Sequence, residues 1–368
     1  MDFEFSEDQQ ALRDAVQRWV DGDYSFERRG KIVREGGFSR AAWDGIAGLG
    51  LLGLAVPEAH GGLGFGPVEA MVVMEELGRG IVMEPYAQAG LIAPAVLAHG
   101  PADMQAEWLP KIAGGEALIM LAHQERSARY ALDKIECRFE GGKLTGSKSL
   151  VPVGDLADAF IVPARTDQGI VLCLLKRAAV TASRAYSLQD GSRAAEISFD
   201  AAPAELIVGE ALGPAVLEQA VDVGIAALCA EGVGAMDKLL LLTTEYMNTR
   251  KQFGVAIASF QALRHRIADV KMQLELARSM SYYATLKLQS PAPERRRALA
   301  QAKLQLGQAM RFVGQQCTQL HGGIGVTDEY IGSHYFKRLT TMEMQFGDSL
   351  YQLGEVSRRM EDSAGVFA

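Results

Sequence analysis

The C-terminal half constrains this chain most. After Gly213-Pro214, apolar residues recur at helical spacing through residues 215–250, 259–289, 293–320 and 335–364, with only short interruptions. Amphipathic helices of this length bury their apolar faces by packing antiparallel, so the pattern predicts a C-terminal four-helix bundle. The block before it follows a different period. Cys137-Arg138-Phe139-Glu140-Gly141-Gly142-Lys143-Leu144-Thr145-Gly146 reads as two strands joined by a Gly-Gly turn. Residues 159–164 and 170–175 are short continuous apolar runs, and 195–199 alternates as a half-buried strand does. The first third returns to helical spacing. Ser6 with Glu7-Asp8-Gln9 marks a helix start, and Leu12, Val16 and Trp19 or Val20 follow on one face. Residues 38–52, 67–77 and 87–98 are further helix candidates, separated by the Gly- and Pro-rich loop 57–66. The expected fold class is α+β, with an N-terminal α-helical domain (1–116), a middle β domain (117–208) and the helical bundle (209–368).

Charge and composition remove several functions. The formal net charge is -8, which argues against nucleic acid as a partner, because phosphate-backbone affinity rests on clustered Lys and Arg. Cys137, Cys173, Cys229 and Cys317 show no C-x-x-C spacing, and the six His form neither H-x-x-x-H nor H-E-x-x-H. Buried reduced thiols and no metal site are therefore expected. No apolar run reaches the roughly 18 residues of a membrane span. The N-terminus, Met1-Asp2-Phe3-Glu4-Phe5, lacks the basic region of a signal peptide. A soluble, cytoplasmic protein is the expectation.

Four features resemble one enzyme family. Residues 48–64, Gly-Leu-Gly-Leu-Leu-Gly-Leu-Ala-Val-Pro-Glu-Ala-His-Gly-Gly-Leu-Gly, stand upstream of Met74-Glu75-Glu76-Leu77-Gly78-Arg79. Arg250-Lys251-Gln252-Phe253-Gly254 is followed by Phe260-Gln261, and Gln319-Leu320-His321-Gly322-Gly323-Ile324-Gly325-Val326 comes later. Together with the order of domains, these segments resemble the acyl-CoA dehydrogenases along nearly the whole chain. The resemblance implies an FAD-dependent α,β-desaturation of an acyl-CoA thioester. A carboxylate removes the α-proton, and the β-hydride passes to the flavin. It also implies a dimer of dimers, with electrons leaving to an electron-transferring flavoprotein.

The same resemblance assigns cofactor contacts to Arg250, Gln252, Phe253, Gln261, Gln319, Gly322 and Gly323, the last group toward a neighbouring subunit's FAD. Each has a plainer reading as well. Arg250 complements a helix C-terminus, Gln261 is a surface amide, and Gly322 caps a helix. In the β domain His123 falls where the family has a flavin-contacting Thr; it is able to donate a hydrogen bond to a flavin carbonyl, and a surface or structural His is the equal alternative. Leu150 and Pro152 replace the family's Trp and Thr.

The catalytic position departs furthest. Where most relatives carry the basic Glu, this chain has Phe346, within Gln345-Phe346-Gly347-Asp348-Ser349. At the alternative position on the first bundle helix it has Gly224-Ile225. Among nearby acids (Glu218, Asp222, Glu231 and Asp348), Asp348 and Glu231 are the remaining candidates for a relocated base. The pattern most resembles the base-less subunit of bacterial α2β2 acyl-CoA dehydrogenases of steroid side-chain and dicarboxylate catabolism, whose partner supplies the Glu. A self-sufficient homotetramer with a relocated carboxylate, or a flavin-free structural partner, are the alternatives.

Overall fold

Helical periodicity and capping chemistry set the elements of the first third. Six helices open the chain: α1 (Glu7–Asp23), α2 (Phe26–Arg34), α3 (Arg40–Gly48), α4 (Pro67–Arg79), α5 (Ala93–Leu97) and α6 (Ala102–Ala113). Eight strands follow: β1 (Ile119–Leu121), β2 (Arg138–Glu140), β3 (Lys143–Pro152), β4 (Ala159–Arg165), β5 (Ile170–Lys176), β6 (Ala182–Ser187), β7 (Arg193–Pro203) and β8 (Glu205–Val208). The chain closes with α7 (Gly213–Thr249), a two-stranded hairpin of β9 (Lys251–Gln252) and β10 (Val255–Ala256), then α8 (Gln261–Lys287), α9 (Ala292–His321), α10 (Ile331–Met344) and α11 (Ser349–Glu361). This is a computed structural model, and it describes residues 5–361. The α+β class and the order helical, β, helical are as expected.

Contacts group the chain into two units. One gathers Met1–Glu27, Met71–Val82 and Ile225–Ala368, and the other Arg28–Ala70 and Met83–Gly224. The N-terminal helices are thus shared between the units.

In the second unit the strands form one sheet in the order β6-β7-β3-β2-β4-β5-β8, with β1 paired parallel to β4. Gly141 and Gly142 turn the β2–β3 hairpin at φ 55° and 77°, the left-handed pair a two-residue hairpin needs. β4 and β5 are buried along almost their whole length, so they read as unbroken apolar runs. The exposed edge strand β6 has no such signature and escapes a reading by periodicity. Residues 38–52 are not one helix. α3 stops at Gly48, Gly50 turns the chain at φ 74°, and Leu51–Gly53 is a short 3-10 turn. Residues 87–98 open as a π-helix, Ala87–Ile92, before α5. There the Gln88 side-chain oxygen accepts from the Leu121 N–H at 3.2 Å, which satisfies a buried strand donor.

In the first unit α1 begins with the expected cap. The Ser6 hydroxyl accepts from Gln9 N at 3.2 Å, and the Gln9 side chain accepts from Ser6 N at 3.0 Å. α7, α8 and α9 match the first three predicted bundle helices to within a few residues. The fourth stretch, 335–364, is corrected to two helices, α10 and α11, with a sharp turn between them. Phe346 (φ 54°) and Gly347 (φ 105°) adopt left-handed backbone there, which ends helical geometry although apolar periodicity runs on. Residues 362–364 lie outside the described residues.

α4 and α7 meet at backbone distance. A Cβ on Gly78 would fall 2.1 Å from Glu231 O, and one on Gly234 would fall 1.8 Å from Glu75 O. Beside this crossing lies a half-buried charge cluster. Arg13 bonds Glu75 at 2.8 Å, Arg79 reaches Glu76 at 3.2 Å and Asp237 at 2.8 Å, and Arg278 bonds Asp237 at 3.0 Å. Burial pushes the Glu76 pKa up to about 7, against the pull of Arg79 and Arg13. A carboxyl with a raised folded-state pKa stabilises fully below its unfolded value of 4.5, and that stabilisation fades as pH climbs through about 7. Glu76→Gln is therefore expected to flatten the dependence of melting temperature on pH between 4.5 and 8. At pH 8 the variant gains on the order of 3 kcal/mol relative to its difference at pH 4.5. Thermal melts at stepped pH check this, and parallel curves for variant and wild type contradict it.

Candidate functional site

One end of the helical bundle collects most of the residues singled out from sequence. α7 stops where Arg250 N donates to Tyr246 O at 2.8 Å, and Arg250 O then accepts from Ile257 N at 2.8 Å. Between these bonds the chain makes the β9–β10 hairpin, pairing Lys251 with Ala256 and Gln252 with Val255. Its two turn residues, Phe253 (φ 53°) and Gly254 (φ 83°), are both left-handed. Phe253 is 92% exposed, with its ring edge-on to Phe260 at 6.2 Å. A small core of Met247, Ile257 and Leu320, flanked by Tyr246 and Phe260, ties the end of α7, the hairpin and the end of α9 together. Arg250, Gln252, Phe253, Gln261 and Gln319 stand exposed around this core. Residues 250–266 hold Arg250, Lys251, Arg264 and Arg266 and no acid, in a chain of net charge -8.

α9 ends on the glycine loop. Gly322 has φ 66° and ψ -142°, a backbone state open essentially to glycine alone. Nothing lies within 4 Å of a Cβ placed on Gly322 or Gly323, so the exposed loop backbone is open to a ligand. His321, which sequence reading passed over, holds this loop from beneath. Its Nδ1 lies 2.8 Å from Cys317 O, and its Nε2 lies 2.8 Å from the Tyr330 hydroxyl. The ring also packs on Tyr246 at 4.7 Å and on Tyr330 at 4.8 Å. Burial lowers the His321 pKa. The neutral ring donates from Nδ1 to the carbonyl and accepts at Nε2 from the tyrosine. Nothing in the sequence announces this, because Tyr246 and Tyr330 stand at no fixed spacing from His321.

The α10–α11 turn carries Phe346. Asp348 Oδ1 accepts from Tyr351 N at 2.8 Å, the bond of a helix N-cap. Glu231, on α7, accepts from Arg338 Nε at 2.6 Å, and its side chain is buried. Each carboxylate proposed as a relocated base is thus held by a structural partner.

The sheet places His123 just after β1, half-buried. Burial and then the Lys148 charge push its pKa down to about 4, so the imidazole is neutral and offers one donor and one acceptor. Behind it Lys148 Nζ meets Glu125 Oε1 at 2.6 Å in a fully buried pair. Glu125 also accepts from Glu136 N at 2.7 Å and Cys137 N at 3.2 Å. Leu150 takes φ 54° in a bulge of β3, its N–H bonded to the Tyr186 hydroxyl at 3.2 Å. A cleft of about 870 Å³ opens over this hairpin, lined by Arg126, Arg138 and Lys143 but also by Glu136 and Glu140. That mixture of charge does not select an anion. All four cysteines are free and buried. Among the described residues no group of His, Cys, Asp or Glu is arranged to hold a metal ion, and no helix is long and apolar enough to cross a membrane.

The residues fit an FAD in part. The exposed guanidinium of Arg250 suits a pyrophosphate, and the open Gly322-Gly323 backbone suits close approach of a dinucleotide. The β-domain face offers His123 but an aliphatic Leu150 and a Pro152 without an N–H.

Comparison with known proteins points one way. Residues 6–116 match the family model described as acyl-CoA dehydrogenase, N-terminal domain, and residues 213–361 the model described as acyl-CoA dehydrogenase, C-terminal domain. The chain is 30% identical to acyl-CoA dehydrogenase IpdE2 of Mycobacterium tuberculosis, over 84% of this chain and 83% of that protein. Among solved structures it is similar to the ChsE4-ChsE5 complex from Mycobacterium tuberculosis, with TM-score 0.91, 26% identity, and 99% and 100% of the two chains covered. It is likewise similar to the Tcur3481-Tcur3483 steroid ACAD, with TM-score 0.90, 27% identity, and 97% and 99% covered.

Proposed function

The chain belongs to the acyl-CoA dehydrogenase family of flavin-dependent oxidoreductases acting on CH–CH bonds, and from that premise we propose that it is the base-less subunit of a heteromeric α2β2 enzyme. The observation that carries this is Phe346 on the α10–α11 turn, together with the engagement of both substitute carboxylates. Glu231 is tied to Arg338 and Asp348 caps α11. A phenyl ring accepts no proton, so abstraction of the substrate's α-proton falls to a carboxylate of the partner subunit. A bound FAD would supply the hydride acceptor. Arg250 and Gln252 would hold its phosphates, Phe253 and Gln261 would flank it, and Gln319, Gly322 and Gly323 would receive a neighbouring subunit's FAD along the loop backbone. His123, kept neutral, would hydrogen-bond the flavin ring. The substrate is an acyl-CoA of steroid side-chain, dicarboxylate or fatty acyl catabolism, and the electrons pass to an electron-transferring flavoprotein. Similarity to a steroid ACAD and to a two-protein complex supports the heteromeric form and the steroid class.

The test is purification of the chain alone and with a co-expressed partner subunit, followed by visible absorption and acyl-CoA oxidation. The expected result is turnover and retained flavin only in the pair. Robust FAD-dependent oxidation by the chain alone would refute the proposal. In that event Asp348→Asn and Glu231→Gln variants identify the relocated base by loss of rate with flavin still bound.

A further inference from the structure

We propose that Lys303 is a positioning residue for side chain 346, and that the turn it holds remains set to present a catalytic carboxylate. This rests on the reading of residue 346 as a vacated base position. Lys303, on α9, is fully buried. Its Nζ donates to Glu343 O at 2.8 Å and to Gly347 O at 3.1 Å, one carbonyl on each side of Phe346. The Gln352 amide donates to the carbonyl of Phe346 itself at 2.8 Å. On the far side, Glu343 Oε1 accepts from Ser349 N at 3.0 Å and from the Ser349 hydroxyl at 2.7 Å, with Arg311 at 3.2 Å. One turn along α9 from Lys303, Gly307 leaves no room for a side chain. A Cβ there would fall 2.5 Å from Ser349 Oγ.

Every one of these bonds to the turn from Lys303 and Gln352 ends on a main-chain oxygen. The backbone that carries residue 346 is therefore fixed independently of which side chain residue 346 has. The arrangement is costly. Burial pushes the Lys303 pKa down to about 8, and Phe346 sits in left-handed backbone that bulky residues avoid. Joining two helices requires neither a buried ammonium nor a left-handed phenylalanine, since ordinary short connections do it with exposed polar residues. Backbone strain kept by surrounding contacts marks positions whose exact placement matters. What distinguishes this turn from a working base site is then the side chain at one position.

The experiment uses the full chain co-purified with its partner subunit, and as probe the acyl-CoA that the wild-type pair oxidises fastest. The partner's Glu is first changed to Gln. If that leaves oxidation intact, the partner-base reading fails and the present inference goes with it. If oxidation collapses, F346E is added to this chain. The expected result is recovery of flavin reduction by about 10²-fold over the base-less pair. K303M added to F346E should remove that recovery while flavin content is retained, and K303R should keep part of it. A second readout needs no turnover. Amide hydrogen exchange of residues 344–349 should match between wild type and F346E, and should be at least tenfold faster in K303M and in the milder Q352A. No recovery in F346E, or equal rates and equal exchange with and without Lys303, overturns the inference.

Discussion

Replacing Lys148 by methionine should cost about 3–5 kcal/mol, the range for breaking a buried ion pair by removing one partner. Lys148 and Glu125 are both buried and 2.6 Å apart. Burial alone raises the Glu125 pKa, yet Lys148's charge and the bonds from Lys148, Glu136 and Cys137 leave it below its ordinary value. Without Lys148 that buried carboxylate loses the charge that most lowers its pKa, and its protonation would weaken its hold on the segment before β2. The expected observations are a lowered midpoint in chemical denaturation and loss of the protected amides of residues 136 and 137. Glu125→Gln combined with Lys148→Met should recover most of the loss, because the double change removes the stranded charge. An unchanged midpoint in the single variant would mean that the pair is not buried as described.

The second large effect is expected at the α4–α7 crossing. Gly234→Ala places a methyl 1.8 Å from Glu75 O, a contact with backbone that no rotamer relieves. The helices must part, at a cost of about 3 kcal/mol or more. The crossing also sets the backbone beside Glu75 and Glu76, so the charge cluster with Arg13 and Arg79 should loosen with it. Two other glycines serve as controls. Gly232→Ala meets only the flexible end of Met310 at 3.0 Å and should cost less. Gly22→Ala, in α1 with nothing within 4 Å, should be neutral or stabilising by roughly 0.5–1 kcal/mol. Denaturation midpoints for the three variants check the ranking, and equal costs would contradict the crossing.

How far the sequence led depends on the kind of feature. Helical periodicity exposed α7, α8 and α9 to within a few residues, and Gly141-Gly142 exposed the β2–β3 turn, because each is governed by neighbours in the chain. The α10–α11 turn was hidden because its apolar spacing continues across a break imposed by the backbone of Phe346 and by bonds from Lys303, far along the chain. β6 was hidden because an exposed edge carries no alternation. The site divides in the same way. Exposed motif residues such as Arg250 and Gly322 could be named from order and spacing. His321, which acts on the glycine loop, and Lys303, which acts on the α10–α11 turn, do so through buried contacts and could not be named in that way. Glu231 and Asp348 looked available only because Arg338 and the α11 cap are invisible in one dimension.

The conformation of Gly322 bears on heredity. With open space where a Cβ would go and backbone angles reserved for glycine, small and large side chains meet the same obstacle. Every missense change of its codon carries a similar backbone penalty, whatever residue it encodes. A mirror-image amino acid takes those backbone angles without that strain. Semisynthesis with D-alanine at position 322 should therefore add a methyl there with less backbone strain than L-alanine imposes.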